Sequence, residues 1–216
     1  MRARRRPAVV PASGPAIDWA ARPVLLVGGG PSAGTIDIDR ARGRLTVVAI
    51  NDSARALPWA DALFTADVFW LRRRREMARY FAGARIVAAP AGCKLPWIGR
   101  LDRIERRDAC GLPDDPNVSH AGNSGRGALT HAVAAGAIRI ALVGYDMTGP
   151  GHWHGGYEWT CRFGVRDYPD WAAEMTAFAG DIAARGVSVV NLNPASAIRC
   201  FGFATLDAVL DGSAWD

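Results

Sequence analysis

The sequence predicts one α/β domain of Rossmann type, with a doubly wound, mostly parallel sheet and helices on both of its faces. Two observations predict this fold. Short apolar runs alternate with segments of helical periodicity, as in units built around parallel strands. The first run, 23–27, stops at the glycines of 28–30, where a strand gives way to a tight loop. The 216 residues suffice for one good core.

The elements follow from the same pattern. Short apolar, β-branched runs that end in polar residues or glycine predict six strands: 23–27, 45–50, 62–65, 85–89, 138–143 and 187–190. Three helices are predicted at 68–81, from Asn123 or Ser124 to Ala135, and at 171–184. The glycine loop is followed by room for only about two helical turns. Residues 91–121 and 148–168 lack periodicity and are predicted to be long excursions, which commonly carry function.

Composition sets the broad class. Half of the residues (50%) are hydrophobic and 22% are charged, which is typical of a globular domain. Residues 1–20 are expected to form a flexible basic arm before a domain at 21–216. The net charge of +5 favours phosphate-bearing partners, although the arginine run 72–75 is interpreted as a solvated helix face. No apolar run is long enough for a membrane span. The four cysteines lack zinc spacing, which predicts reduced thiols in a cytoplasmic protein.

Polar residues follow the predicted strands at one edge of the sheet. Ligands bind parallel sheets outside the carboxyl ends of the strands, so these residues outline a candidate pocket. The candidates are Gly28, Gly29, Gly30, Pro31, Ser32, Asn51, Asp52, Asp67, Tyr145, Asp146, Asn191 and Asn193. The glycine loop is expected to offer backbone N–H groups to a phosphate. It lacks the lysine of a Walker loop and the long following helix of a dinucleotide fold, and strand 45–50 ends in Asn51 instead of the acid that holds a ribose.

Two further groups carry chemistry. Gly122-Asn123-Ser124-Gly125 stands at a predicted helix start, where exposed N–H groups, an amide and a hydroxyl suit an anionic or sugar-like group; plain helix capping by Ser124 is the alternative. His152-Trp153-His154 could supply a general acid or base near neutral pH, or be solvent-exposed loop residues. No third ligand at metal spacing follows them, so no metal site is predicted there.

The order of these blocks resembles a known superfamily. Leu26-Val27-Gly28-Gly29-Gly30-Pro31-Ser32 is similar to its G-N-G-P-S opening, with Gly29 in place of the usual asparagine. Ala49-Ile50-Asn51-Asp52-Ser53, Gly122 to Gly125, Gly144-Tyr145-Asp146-Met147 and the block 190–197 with Ser196 resemble the later blocks. The branches are bacterial lipooligosaccharide sialyltransferases, motility-associated flagellin-modifying transferases and 6-hydroxymethylpterin diphosphokinase-like proteins. Short phage and prophage members often carry a His-x-His stretch like 152–154.

The resemblance implies a nucleotide-sugar-dependent glycosyltransferase, sialyltransferase-like and phage- or prophage-encoded. The first loop and Asn51 would face the nucleotide, Gly122 to Ser124 the ribose or donor sugar, and the closing block, with Ser196, would belong to the nucleotide site. His152 or His154 would be the base that takes a proton from the acceptor hydroxyl. This branch needs no metal or other cofactor and is often oligomeric, which leaves a homo-oligomer open.

Two other functions remain open. The pterin branch implies a diphosphokinase that transfers diphosphate from ATP, with Mg²⁺ held by Asp67 or Asp146. A non-catalytic nucleotide-binding phage accessory protein is the third interpretation. A nucleic-acid partner is not expected, because the basic arm has no recognised binding motif beside it. The sequence does not identify the acceptor.

Overall fold

The structure is a computed structural model that describes residues 15–95, 97–98, 101–149, 151–155 and 167–215. Its strands are β1 (Val24–Val27), β2 (Thr46–Ile50), β3 (Ala62–Thr65), β4 (Ala84–Ala89), β5 (Asp102–Arg107), β6 (Val118–His120), β7 (Arg139–Val143), β8 (Ser188–Asn191) and β9 (Gly202–Phe203). Its α-helices are α1 (Ser53–Ala56), α2 (Val68–Arg73), α3 (Arg75–Tyr80), α4 (Ser124–Ala134), α5 (Asp167–Ala184) and α6 (Leu206–Asp211).

The nine described strands form one sheet in the order β6-β5-β4-β3-β2-β1-β7-β8-β9, and every neighbouring pair is parallel. The chain leaves β1 in one direction through β2 to β6 and then returns to place β7 on the other side of β1. This reversal of strand order leaves a crevice at the carboxyl ends of β1 and β7. The predicted α/β fold is confirmed, and the described sheet is wholly parallel.

The sheet is buried on both faces. Leu25 and Leu26 are both fully buried, yet they belong to opposite cores, because successive side chains of a strand point to opposite faces. Helices α4 and α5 cover one face, with Met175 and Phe178 in that core. Helices α2, α3 and α6 and two short 3₁₀ helices (31–35 and 38–41) cover the other, with Trp70 among their fully buried side chains.

The structure corrects four predictions. The excursion 91–121 contains β5 and β6, each of which carries a single apolar residue and so lacks a strand signal. The helix predicted at 68–81 is instead two helices that meet at Arg74, whose backbone angles are not helical. Helix α5 begins at Asp167, inside the second predicted excursion. The strand β9 follows the last predicted strand.

Some local predictions are confirmed, and others concern residues that lie outside the described ranges. Asn123 caps α4 through its side-chain oxygen, which accepts a hydrogen bond from Arg126 N, and Gly136 follows the helix with a left-handed φ of 100°. Residues 1–14 of the predicted arm and Cys161 are outside the described residues, whereas Cys93, Cys110 and Cys200 are free thiols. Among the described helices, none is long and apolar enough to cross a membrane.

Candidate functional site

A cavity of about 270 Å³ opens at the crevice between β1 and β7. That volume is near the lower end for small-molecule pockets. Its walls are the glycine loop after β1, the turns after β2 and β3, the start of α4, and the segment that follows β7. The predicted residues among them are Gly28, Gly29, Gly30, Asn51, Asp67, Gly122, Asn123, Ser124, Gly125, Tyr145, Asp146 and His152. The structure thus brings together residues that stand far apart in the sequence.

The glycine loop packs tightly against the turn after β7. Gly28 N donates to Val143 O and Gly30 N donates to Gly144 O, both at 2.8 Å. A Cβ on Gly28 would lie 2.5 Å from Gly144 O, so this approach requires glycine. Ser32 N donates to Asp146 Oδ1 at 3.2 Å. The expectation that this loop offers its N–H groups to a phosphate therefore fits only Gly29, whose N–H has no acceptor among the described residues.

Asp146 holds the glycine loop and the closing block together. Its carboxylate accepts hydrogen bonds from Ser32 Oγ at 2.9 Å and from Asn193 Nδ2 at 2.8 Å. Ser32 Oγ in turn accepts a hydrogen bond from Gly144 N at 3.2 Å. Asp146 is 8% exposed, so these bonds satisfy the oxygens of a carboxylate that water reaches poorly. Asp146 and Ser32 therefore fix the shape of the crevice.

The segment His152-Trp153-His154 lies against the glycine loop. Trp153 Nε1 lies 3.2 Å from both Gly28 O and Ser53 Oγ, and Trp153 N donates to Gly29 O at 3.2 Å. The imidazole rings of His152 and His154 stack with centroids 5.0 Å apart. A Cβ on Gly29 would lie 2.8 Å from His152 Nδ1, so the ring takes the space that an asparagine there would fill. Trp153 therefore anchors this segment to the glycine loop.

Both histidines are neutral at neutral pH. Burial lowers the pKa of His152, against the opposing effects of its hydrogen bond with Gly29 and of the charge on Asp52. Burial and the neighbouring His152 lower the pKa of His154 to about 4. A neutral imidazole can accept a proton. His152 is among the described residues that line the cavity and His154 is not, so the geometry favours His152 as the proton acceptor.

The start of α4 forms the opposite wall. Ser124 Oγ accepts a hydrogen bond from Ala66 N at 3.1 Å, so Asn123, and not Ser124, is the cap. The N–H groups of Ser124 and Gly125 have no acceptor in the part of the chain that the structure describes. Tyr145 OH donates to Gly125 O at 3.0 Å, and burial raises the pKa of this phenol, so it stays protonated. This wall presents donors to the cavity.

Two amide side chains in the cavity wall are unsatisfied. Asn51 Oδ1 and Asn123 Nδ2 are buried atoms that find no hydrogen-bond partner within the described residues. Asn51 also adopts a left-handed φ of 54°, which asparagine tolerates better than most residues. One atom is an acceptor and the other a donor, so they can bind a ligand with both kinds of group.

Other predicted residues lie away from the cavity. Asp52 is fully buried and accepts hydrogen bonds from Trp70 Nε1 at 2.9 Å and from Arg74 Nε at 3.0 Å. Burial opposes its ionisation, but the hydrogen bonds from Arg74 and Trp70 outweigh that effect and lower its pKa. Ser196 Oγ donates to Tyr145 O at 2.7 Å, and the buried Asn191 accepts a hydrogen bond from Asn193 N at 3.0 Å. The nucleotide-binding roles given to these residues stay predictions.

Several cavity residues were not among the candidate site residues of the sequence analysis. They are Ile50, Ala66, Arg106, Gly144, Met147, Gly149, Gly151, Tyr168 and Trp171. Arg106 belongs to β5, which was not predicted as a strand, and Tyr168 and Trp171 belong to the first turns of α5. A β-strand signal at 102–107 would have placed Arg106 at the pocket edge of the sheet.

A metal would find few open ligands here. Asp67 caps α2, since its Oδ1 accepts hydrogen bonds from Phe69 N and Trp70 N, and both oxygens of Asp146 are hydrogen-bonded. Within the described ranges, no three His, Cys, Asp or Glu side chains are grouped as metal ligands. Among the described lining residues, Oδ2 of Asp67 remains the open carboxylate oxygen for the Mg²⁺ site of the diphosphokinase hypothesis.

Comparisons with known proteins give one structural similarity. No family model and no curated protein sequence matches the chain. A solved structure, described as that of a Maf glycosyltransferase from Magnetospirillum magneticum AMB-1, is similar with a TM-score of 0.54 and 14% identity. The similarity covers 89% of this chain and 34% of the other, so this chain spans about a third of that protein. At this identity the comparison establishes that the two chains share an α/β fold.

Proposed function

We propose that this protein transfers a sugar from a nucleotide-sugar donor to an acceptor hydroxyl, with a sialyltransferase-like donor such as a CMP-sugar as the first candidate. The observation that carries the proposal is a neutral His152 that lines one cavity together with Ser124 and Gly125, whose N–H groups have no acceptor among the described residues. A proton acceptor and an anion-stabilising wall are the two groups that this chemistry needs.

The reaction follows from these positions. His152 accepts the proton of the acceptor hydroxyl as its oxygen forms a bond to the anomeric carbon. The bond from that carbon to the donor phosphate breaks, and the phosphate leaves with the electron pair. The N–H groups at the start of α4 and the positive end of its dipole stabilise the phosphate charge. The amides of Asn51 and Asn123 would bind the ribose or base.

The similarity in fold to a Maf glycosyltransferase supports a glycosyltransferase at the level of the fold. Among the described cavity residues, the diphosphokinase hypothesis retains Asp67 Oδ2 as a Mg²⁺ ligand, whereas both oxygens of Asp146 are already hydrogen-bonded by Ser32 and Asn193. The superfamily resemblance of the motifs points to the same class. The phage origin remains an expectation from that resemblance.

The first experiment is a thermal-shift screen of CMP, CDP, UDP, GDP, ADP and ATP, each with and without Mg²⁺. A ligand that binds the native state raises the melting temperature by mass action. A metal-independent shift with a sugar-carrying nucleotide supports the proposal. A shift with ATP only when Mg²⁺ is present, lost in Asp67→Asn, would replace it with diphosphate transfer.

The second experiment tests His152. Donor turnover is followed by release of the nucleotide in His152→Ala, His154→Ala and His120→Ala. His120 is the control, because its ring bonds Gly111 O away from the cavity. We expect His152→Ala to lower kcat by roughly 10²-fold or more while donor affinity is retained, and His120→Ala to behave as the wild type. Nucleotide binding without turnover in the wild type would favour the accessory-protein hypothesis.

A further inference from the structure

We propose that Arg106 forms an anion subsite in the cavity, which takes an oxyanion of the ligand, either a phosphate or a sugar carboxylate. The subsite deepens the proposed function and rests on it for the identity of the natural ligand. Neither the sequence motifs nor the resemblance assigned a role to this residue.

The sheet topology brings Arg106 to the cavity. Arg106 lies on β5, which the strand order separates from β3 by β4, yet its Nη1 reaches over to donate to Ala66 O at 3.1 Å, at the end of β3. Ala66 N donates to Ser124 Oγ. The guanidinium therefore stands beside the wall that carries the unbonded N–H groups of α4.

The guanidinium of Arg106 uses only part of its hydrogen-bonding capacity within the described residues. Its Nε and Nη2 have no hydrogen-bond acceptor, and its guanidinium makes no ion pair, among the residues that the structure describes. Arg126 on α4 is the contrast: its Nε, Nη1 and Nη2 donate to His120 O, Glu174 Oε2 and Ala109 O. A half-buried guanidinium that keeps N–H donors open at a cavity can bind a carboxylate or a phosphate through two parallel hydrogen bonds.

The charges around the cavity fit an anionic group at this point. Asp67 and Asp146 also line it, but Asp67 Oδ1 is held by two N–H groups of α2, and Asp146 is held by Ser32 and Asn193. His152 is neutral. Arg106 is the fixed positive charge of the described lining. The glycine loop leaves only the N–H of Gly29 without an acceptor among the described residues, so it cannot balance the charge of a phosphate by itself.

The test measures anion binding by calorimetry on the full chain. Inorganic pyrophosphate and glucuronate are the probes, glucose is the neutral reference, and the variants are Arg106→Gln, Arg106→Lys and Arg103→Gln. Arg103 is the matched control, since this exposed arginine on the same strand also donates to backbone carbonyls, those of Pro90 and Ala91, but does not line the cavity. We expect Arg106→Gln to weaken binding of the anion that occupies the subsite by about tenfold. The affinity of Arg106→Lys should be intermediate, and that of Arg103→Gln should equal the wild-type value.

The two sources of the oxyanion give different results. Loss of pyrophosphate binding alone identifies a phosphate subsite, and loss of glucuronate binding alone identifies a sugar-carboxylate subsite. Wild-type protein that binds neither anion, or Arg106→Gln that binds both as tightly as the wild type, overturns the proposal. If Arg106→Gln does not fold, the proposal is tested by modifying the wild-type protein with phenylglyoxal. The bound anion must then slow the modification of Arg106 and leave that of Arg103 unchanged. Anion binding without nucleotide-sugar turnover would refute the proposed function and leave the subsite intact.

Discussion

Gly30 faces Asp146 so closely that a Cβ at position 30 would overlap the carboxylate oxygen Oδ2, and it would lie 2.7 Å from Gly144 O. The two residues come from opposite sides of the crevice, the loop after β1 and the turn after β7. Their contact brings Ser32 within hydrogen-bond distance of Asp146. A substitution at position 30 therefore acts on both walls of the cavity at once.

Gly30→Ala is expected to lower the free energy of unfolding by about 1–3 kcal/mol, because the added methyl group must displace Asp146 or the Gly144 carbonyl. Urea unfolding measures the change. Gly180→Ala is the matched control, since no atom of the described residues lies within 4 Å of a Cβ there and the residue is in helix α5. It should be neutral or stabilising. Equal stabilities for the two variants would contradict the tight contact at Gly30.

Trp153→Phe is expected to cost about 1 kcal/mol of unfolding free energy, because it keeps an aromatic ring but removes the N–H that bonds the Gly28 carbonyl. It should also lower kcat more than it raises KM, since His152 loses its neighbouring anchor. Trp215→Phe is the control: Trp215 Nε1 is buried and has no acceptor among the described residues. Thermal unfolding and steady-state kinetics on both variants check the difference, and similar losses in both would refute an anchoring role.

Asp52→Asn is expected to lower the unfolding free energy by about 3 kcal/mol, because it removes a fully buried carboxylate that pairs with Arg74 at 2.9 Å. A structural role predicts that nucleotide affinity, measured well below the melting temperature, stays unchanged. The nucleotide-binding role predicted from the motif requires that affinity to fall in the folded variant. Calorimetric titration of folded Asp52→Asn separates the two.

Stability should fall on acidification from pH 6.5 toward pH 4. Burial lowers the pKa of His131 to about 4, despite its hydrogen bond with Pro116 O. In the unfolded chain the histidine pKa is near 6.5, so on acidification the unfolded chain takes up the proton at a higher pH than the folded chain does. The contribution of His131 to stability is therefore fully present above pH 6.5 and is lost as the pH falls below it. For His131 the loss is about 3 kcal/mol, and His154 acts in the same direction. Urea unfolding at pH 7.5 and 4.5 should show a smaller difference in His131→Gln; an equal difference would contradict the assignment.

The sequence analysis succeeded where local signals are strong. The core strands are apolar runs with clear ends, so β1, β2, β3, β4, β7 and β8 were all predicted. By contrast, β5 carries charged residues at five of its six positions and buries Ile104 alone, which leaves no hydrophobic period to read. The break at Arg74 was invisible because it coincides with a long-range bond to Asp52, which no helical pattern encodes.

The candidate site was predicted as a set of strand ends, and a cavity joins most of them. Sequence alone could not tell which polar residues face that cavity. Asp52 directly follows Asn51, yet its carboxylate points to Trp70 and Arg74 while Asn51 lines the cavity. The N–H groups of Gly28 and Gly30 donate to Val143 O and Gly144 O only because β1 pairs with β7, and this pairing is a tertiary property.

The central position of β1 has a consequence for how the cavity can be assembled. Val24 pairs with Thr46 on one side and with Ile140 on the other, so the glycine loop meets its second wall only after β7 has docked. A chain released from the ribosome before β7 emerges would hold Gly28 to Ser32 without Asp146, Trp153 or His152. Ligand binding would thus report completion of the sheet, and two co-expressed fragments divided between α4 and β7 should recover it only by reassociating.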